Sequence, residues 1–439
     1  MFKSVCLVAL FCCPVPAATA AGHIVDGWTQ WAPRPQLKPD MSKSDAGAET
    51  VLSIRANKFG DYGKWISTVQ GIRAGQTYRF GVSYRPANIA SEDTSVAVIL
   101  SWFRDADARA LLQRDYANNT GRQGDWRKVE RVLEAPAGAV ALKVELALRW
   151  SDHGSIAWRQ PELTEVSPER RRVIRIATTH LQPERPATVA SNLKQMSSIV
   201  DKAGAGRPDL IVLSENVVDR GVGEPLGETA QTIPGPATEM LAQKARQYKT
   251  YISTSLHERD GELIYNTAVL IDRAGKLVGK YRKVHLAMEE GERGITPGSE
   301  YPVFDTDFGK VGILTCWDNW FVETARILRL KGAELLILPI AGDGVPGHWD
   351  VISRARAIDN GVFLVASSTV GESTSRIVSP EGTVLAETLD PFGIASAEVN
   401  LDAVSRVRWL SVGAGKGDPR SLYVKERRPE TYRAIAEDR

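Results

Sequence analysis

The chain has 439 residues, of which 43% are hydrophobic and 25% charged, with a formal net charge of +2. That length carries two or three domains with ordinary buried cores. The near balance of charge excludes the strongly basic surface that a nucleic-acid or membrane-surface partner would demand.

Residues 1–21 read as a secretory signal. Lys3 supplies a short positive start, Val5 to Cys13 an apolar core, and Ala18-Thr19-Ala20 or Thr19-Ala20-Ala21 a small-residue cleavage site. The apolar run is far short of the roughly 20 residues a spanning helix needs, so no membrane span is expected. Lipid attachment is not expected either, because Phe11 before Cys12 and Cys12 before Cys13 are not small residues. The sequence therefore predicts export to a periplasmic or extracellular space. Cleavage would remove Cys6, Cys12 and Cys13 and leave Cys316 as the one thiol of the mature chain. Such a thiol is a buried hydrophobe, a free surface group or a nucleophile. Keeping it unpaired in an oxidising compartment favours the nucleophile.

Residues 22–168 carry short alternating patterns and turn signals without a long helix: Thr50 to Ala56, Tyr78 to Tyr84, Ser95 to Phe103, Arg127 to Glu134, Ala141 to Leu148 and Ser155 to Glu162. Strands at this spacing predict an all-β sandwich. Seven of the eleven tryptophans fall here: Trp28, Trp31, Trp65, Trp102, Trp126, Trp150 and Trp158. With Gly124-Asp125-Trp126 before a strand and the closing Gly154-Ser155-Ile156-Ala157-Trp158 strand, the segment resembles the jelly-roll sandwiches of carbohydrate-binding modules. The resemblance implies a carbohydrate partner on an exposed aromatic platform and room for a structural calcium. The alternative is that the tryptophans fill the core.

Pro168 and the solvated run Arg170-Arg171-Arg172 mark a linker, and the period then changes. Arg172 to Thr179 predicts a strand, Ala187 to Ala203 a helix with Val189, Leu193, Met196 and Val200 on one face, and Pro208 to Ser214 a buried strand. Further elements follow: a helix from Gly235-Pro236 to Tyr248, then strands at Tyr251 to Leu256, Asn266 to Asp272, Leu277 to Lys283, Val311 to Thr315, Glu334 to Pro339, Gly361 to Ser367, Arg376 to Ser379 and Thr383 to Glu387. Residues 170–405 thus predict an α/β domain.

Three strand ends carry reactive groups. Glu215 closes Asp209 to Ser214, Lys283 lies in Gly279-Lys280-Tyr281-Arg282-Lys283-Val284-His285-Leu286, and Cys316 follows Val311 to Thr315 at a turn into a helical pattern. Open α/β sheets build their sites at strand ends. A thiol with a pKa of about 8.5 needs a base to attack a carbonyl or nitrile carbon at neutral pH, and a carboxylate serves. An ammonium with a backbone N–H can hold the resulting oxyanion. Glu215, Lys283 and the Trp317 amide suit those roles. Taken singly, Glu215 reads as a helix cap and Lys283 as a solvated strand-end charge.

The three sites together resemble the nitrilase superfamily, the carbon–nitrogen hydrolases with a Glu-Lys-Cys triad. The matching runs are Leu213-Ser214-Glu215, Tyr281 to Leu286, and Gly312-Ile313-Leu314-Thr315-Cys316-Trp317-Asp318. Supporting matches are Tyr265-Asn266-Thr267-Ala268, Thr296-Pro297-Gly298 and Arg354 to Gly361. The resemblance implies a four-layer α-β-β-α sandwich that hydrolyses a non-peptide C–N bond through a covalent thioester. The expected substrate is an amide of a small carboxylic acid, with nitriles and N-carbamoyl compounds as alternatives. It also implies a second glutamate beside the lysine, for which Glu292 is the first choice among Glu289, Glu290 and Glu292, with Glu290 the fallback. His285, sharing a face with Lys283 if the strand continues, is expected to orient it or pack nearby, and His348 and Trp349 to lie near the pocket, Trp349 as a wall of the acyl site. No cofactor or metal is expected, since ligand spacings are absent.

Two rivals remain at this level. A cysteine–histidine hydrolase would use His285 or His348 as base, and a glycan-binding protein would carry an inactive hydrolase-like domain. The polar, arginine-rich tail, 406–439, resembles extensions that cover a neighbouring subunit, which implies a homodimer.

Overall fold

The computed structural model describes residues 22–437 except 24, 47–48, 169, 343–344, 346, 371–372, 405 and 409–415. The predicted leader lies outside the described residues. The described residues form two compact units: those up to 168 with 408, 416 and 430–432, and those of 170–407 with 417–429 and 433–437.

Apart from single turns of helix at Pro35–Leu37 and Glu92–Ser95, the first unit is built of antiparallel strands. Its strands lie side by side in the order Thr29–Trp31, Tyr62–Gln70, Ala141–Arg149, Val96–Phe103, Leu111–Gln123, Trp126–Glu134, Thr77–Ala87, Ser155–Val166, Glu49–Arg55 and Asp40–Ala46. The long strand Leu111–Gln123 pairs with Val96–Phe103 through its first half and with Trp126–Glu134 through its second. The sheet therefore folds on itself there, as one continuous sheet instead of two. Inward residues of both limbs, among them Trp65, Val98 and Leu142 from one and Leu52, Tyr78 and Trp158 from the other, share a single core. Alternation along each strand puts apolar side chains on that inner face. Of the tryptophans, Trp65, Trp102 and Trp158 are core, and Trp126 lies between the guanidinium groups of Arg85 and Arg159, so these four form no open platform. Trp31 is exposed, with Lys64 Nζ 4.5 Å from its ring centre.

The second unit stacks two six-stranded sheets. In the first, Val173–His180, Leu210–Val212 and Tyr251–Asp260 run parallel, flanked by Leu263–Ile271 and Leu277–Arg282 on one side and Gly393–Asn400 on the other. In the second, Lys310–Ile313, Leu335–Pro339 and Phe363–Ser367 run parallel, flanked by Val303–Asp305, Ser375–Val378 and Val384–Thr388. Leu210 and Val212 face the second sheet, whose Leu335 and Ile337 face back. Ile211 meets the helices Val189–Gly204 and Pro236–Tyr248, while Leu336 and Leu338 meet Val322–Leu330 and His348–Asn360. The layers are α-β-β-α, and strands covered on both faces explain the unbroken apolar runs. The helix starts follow capping chemistry: Thr188 accepts from Ser191 N–H, and Pro236 opens its helix after Gly235. In the tail, the helix Pro419–Lys425 docks on its own unit through Arg420 Nη1, which donates to the Leu401 carbonyl at 2.9 Å.

Candidate active site

Glu215 leaves the end of Leu210–Val212 in a turn pinned by Leu213 N–H and Asn216 N–H, which donate to the Ser253 and Ser255 carbonyls. Its carboxylate is buried yet fully engaged. Oε1 accepts from Asn266 Nδ2 at 2.7 Å and Lys283 Nζ at 3.1 Å, and Oε2 accepts from the Ala341 amide at 2.8 Å. Burial opposes its ionisation, but the Lys283 ammonium, Arg220 and the Asn266 and Cys316 donors outweigh it and hold the carboxyl below its usual range.

Lys283 ends the strand Leu277–Arg282 and is 1% exposed. Its own N–H donates to the Asn266 carbonyl at 2.9 Å, and its carbonyl accepts from Gly298 N–H at 2.8 Å. Burial pulls its pKa down, but Glu215, Cys316 and Glu290 together push it above the ordinary lysine value. The second glutamate on the ammonium is Glu290, with Oε2 2.7 Å from Nζ. Glu292, the first choice from sequence, is exposed at the end of the short helix Met288–Glu292. Two helical residues turn the side chain by about 200°, so only one of the pair can point inward. Glu290 wins that place because its Oε2 also accepts the otherwise unsatisfied Ala287 N–H at 2.8 Å.

Cys316 follows the strand Lys310–Ile313 and adopts φ +47°, a left-handed conformation that costs a non-glycine residue energy. Asp318 holds the turn. Its Oδ2 accepts from Thr315 N–H at 3.0 Å and Tyr281 O–H at 2.6 Å, and its Oδ1 accepts from His285 N–H at 3.0 Å with His285 Nδ1 also at 3.0 Å. The thiol is within hydrogen-bonding reach of the Glu215 carboxylate and the Ala341 amide. Burial and the Glu215 charge push it up to about 12 against the opposing pull of Lys283. A protonated thiol thus meets an ionised carboxylate and a charged ammonium.

Around the thiol, Trp317 is exposed and packs against Trp320 and Phe321, while His348 meets the edge of Trp320 at 5.5 Å. His285 stacks on Phe321 at 3.8 Å between ring centres, and its Nδ1 lies 3.0 Å from Asp318 Oδ1 and 3.5 Å from the Tyr301 hydroxyl. Trp349 is buried in the apolar layer beneath its helix, its Nε1 donating to the Thr374 carbonyl at 3.0 Å. Cys316 packs against the same apolar layer. Among the described residues no group of three or more His, Cys, Asp or Glu side chains could hold a metal ion.

The carbon–nitrogen hydrolase family model matches residues 175–408, just over half the chain. The chain belongs to the carbon–nitrogen hydrolase family. Omega-amidase NIT2-A of Xenopus laevis is 32% identical over 244 residues, 50% of this chain and 86% of that one. A probable nitrilase of Schizosaccharomyces pombe is 33% identical over 253 residues, 53% of this chain and 91% of its own. A carbon–nitrogen hydrolase from Helicobacter pylori shares the fold, with a TM-score of 0.51 at 23% identity over 61% of this chain and 99% of that one. The protein is an enzyme that hydrolyses carbon–nitrogen bonds.

Within this hydrolase, three groups around the thiol escaped sequence reasoning. Asn266 and Asp318 lie inside recognised runs but read there as spacing, and the Ala341 amide has no side-chain signature at all. A signal for Asn266 exists: it is an amide in a mostly apolar strand, and it is 0% exposed.

Proposed function

We propose that the enzyme is an amidase of small carboxylic amides, with Cys316 as nucleophile and Glu215 as its base. The observation that carries this reading is the burial of one carboxylate, Glu215, on Lys283, Asn266 and the Ala341 amide, beside the Cys316 elbow. The sulfur attacks the amide carbon while Glu215 takes its proton. Lys283 spends two of its three N–H bonds on Glu215 and Glu290, leaving the third, with the Trp317 amide, for the oxyanion. Collapse breaks the C–N bond, Glu215 returns the proton to the departing nitrogen, and ammonia or an amine leaves a thioester. Glu215 then deprotonates a water, which attacks the thioester and releases the acid with the thiol restored. The omega-amidase relatives support an amide substrate over a nitrile.

The test is ammonia release from a panel of amides, carbamoyl compounds and nitriles, with intact-mass detection of the acyl enzyme. An amide should be turned over by the native protein and not by Cys316→Ala. Turnover confined to nitriles, or retained by Cys316→Ala, would overturn the reading.

A further inference from the structure

Asn266 has an unusual set of partners for a strand residue. Its two side-chain N–H bonds go to two different carboxylates, Glu215 Oε1 at 2.7 Å and Glu290 Oε1 at 2.8 Å. Lys283 Nζ reaches the same pair, Glu215 Oε1 at 3.1 Å and Glu290 Oε2 at 2.7 Å. Donors and carboxylates therefore alternate around a closed ring: Asn266, Glu215, Lys283, Glu290. The ring has one cation for two anions, with Asn266, Glu215 and Lys283 buried and Glu290 partly buried, where like charges repel strongly. The amide orientation has a cost. Asn266 Oδ1 is buried with no hydrogen-bond partner, yet turning the amide over would set that oxygen against both carboxylates. Cross-strand pairing fixes the geometry, because the Asn266 carbonyl accepts the Lys283 N–H at 2.9 Å.

We propose that Asn266 is a positioning residue that lets the single Lys283 ammonium serve two carboxylates, so that Glu215 stays ionised and aimed at Cys316 while Glu290 stays on the lysine. Glu215 is faced by Lys283 from the neighbouring strand end, Arg220 from its own turn, Cys316 from its elbow and the Ala341 amide, with Glu290 across Asn266. Without the amide, the two carboxylates compete for one ammonium, and the base takes up a proton at higher pH.

The inference rests on Glu215 being the base of Cys316, so the readout is alkylation of Cys316 by iodoacetamide, followed by mass against pH, which needs no knowledge of the substrate. Glu215→Gln reports on that reading: loss of the acid limb supports it, and wild-type alkylation defeats it. Given that response, Asn266→Ala should move the acid limb up by about one pH unit or more. In a Glu290→Gln background, where the competing anion is gone, the same change should move it less. An unmoved limb in folded Asn266→Ala, or an equal movement in both backgrounds, overturns the proposal. Asn266→Asp keeps the volume and guards against a variant that fails to fold. It adds a third carboxylate to one ammonium and should suppress alkylation at neutral pH, and an unchanged rate there would also overturn the proposal.

Discussion

The two units bury charge in different ways. In the first, the strand Ala141–Arg149 sends Leu142, Val144, Leu146 and Leu148 into the core and Lys143, Glu145 and Arg149 to the other face. Glu145 is buried there against Lys64 Nζ at 2.8 Å, a pairing that follows from strand alternation. In the second unit alternation does not separate polar from apolar, because both faces of each sheet are covered. The charges of its site are buried just beyond strand ends, with Glu215, Lys283 and Asp318 each held by several partners. A buried charge with several partners is costly to assemble and costlier to leave half assembled. Stability is therefore distributed along strands in one unit, while chemistry is concentrated at strand ends in the other.

The largest effect expected from breaking this contrast is at Glu215. Glu215→Gln should lower turnover by about a thousandfold while leaving a folded protein by circular dichroism. Retention of activity within tenfold would mean that another group takes the thiol proton. The pH profile carries the same point with a definite sign. Glu215 is held below the usual carboxyl range, so the active ionised form persists as pH falls and kcat/KM should stay level down to about pH 5. The depressed pKa also stabilises the fold. That contribution is complete above the unfolded value of about 4.3 and disappears as pH falls through the lower folded value. A profile already falling at neutral pH would contradict this account.

The counterpart in the first unit is a packing test. Trp158 is fully buried against Tyr84, with ring centres 5.2 Å apart. Trp158→Ala should cost roughly 3–5 kcal/mol, read from the denaturant midpoint. Trp158→Phe should cost less than about 1.5 kcal/mol, because the indole N–H it removes is buried with no acceptor. Equal losses would show that the polar edge matters more than volume. Asp318→Asn lies between the two kinds of test. It keeps volume but replaces one acceptor with a donor facing Thr315 N–H and Tyr281 O–H, or His285 N–H. A loss of about 1–3 kcal/mol is expected from the opposed donors, with a fall in turnover as the elbow loosens. An unchanged melting temperature would remove Asp318 from its role.

The same contrast explains what was legible in the sequence. The buried parallel strands were readable because two covered faces leave long apolar runs, as in Leu335–Pro339. In the first unit, Ser155–Val166 and Ala141–Arg149 announce themselves by alternation, whereas Asp40–Ala46 and Leu111–Gln123 are too polar to do so and are held as strands by their neighbours. Glu215 and Cys316 stood out because each closes an apolar run, and Lys283 because its run Tyr281 to Leu286 resembles the family's. The burial of Trp349 was not legible, because position along the chain does not tell which face of a helix is buried. Asn266 and Ala341 act through an amide, which carries no charge signal.

The smallest expected effect is also the most discriminating, because it separates two residues on one turn of helix. The family resemblance puts Glu292 first, whereas the folded chain turns Glu290 inward, onto Lys283 Nζ, Asn266 Nδ2 and the Ala287 N–H. Glu290→Gln keeps the shape but must turn an NH2 group toward one of these donors, so turnover should fall by about tenfold or more. Glu292→Gln alters an exposed side chain and should shift stability by no more than about 0.5 kcal/mol, with turnover within twofold. The reverse ranking would require the Met288–Glu292 helix to rotate by half a turn in the working enzyme. That rotation would strip Lys283 of its second carboxylate and leave the Ala287 N–H without its acceptor, so the wild-type ranking follows from the same hydrogen bonds that define the site.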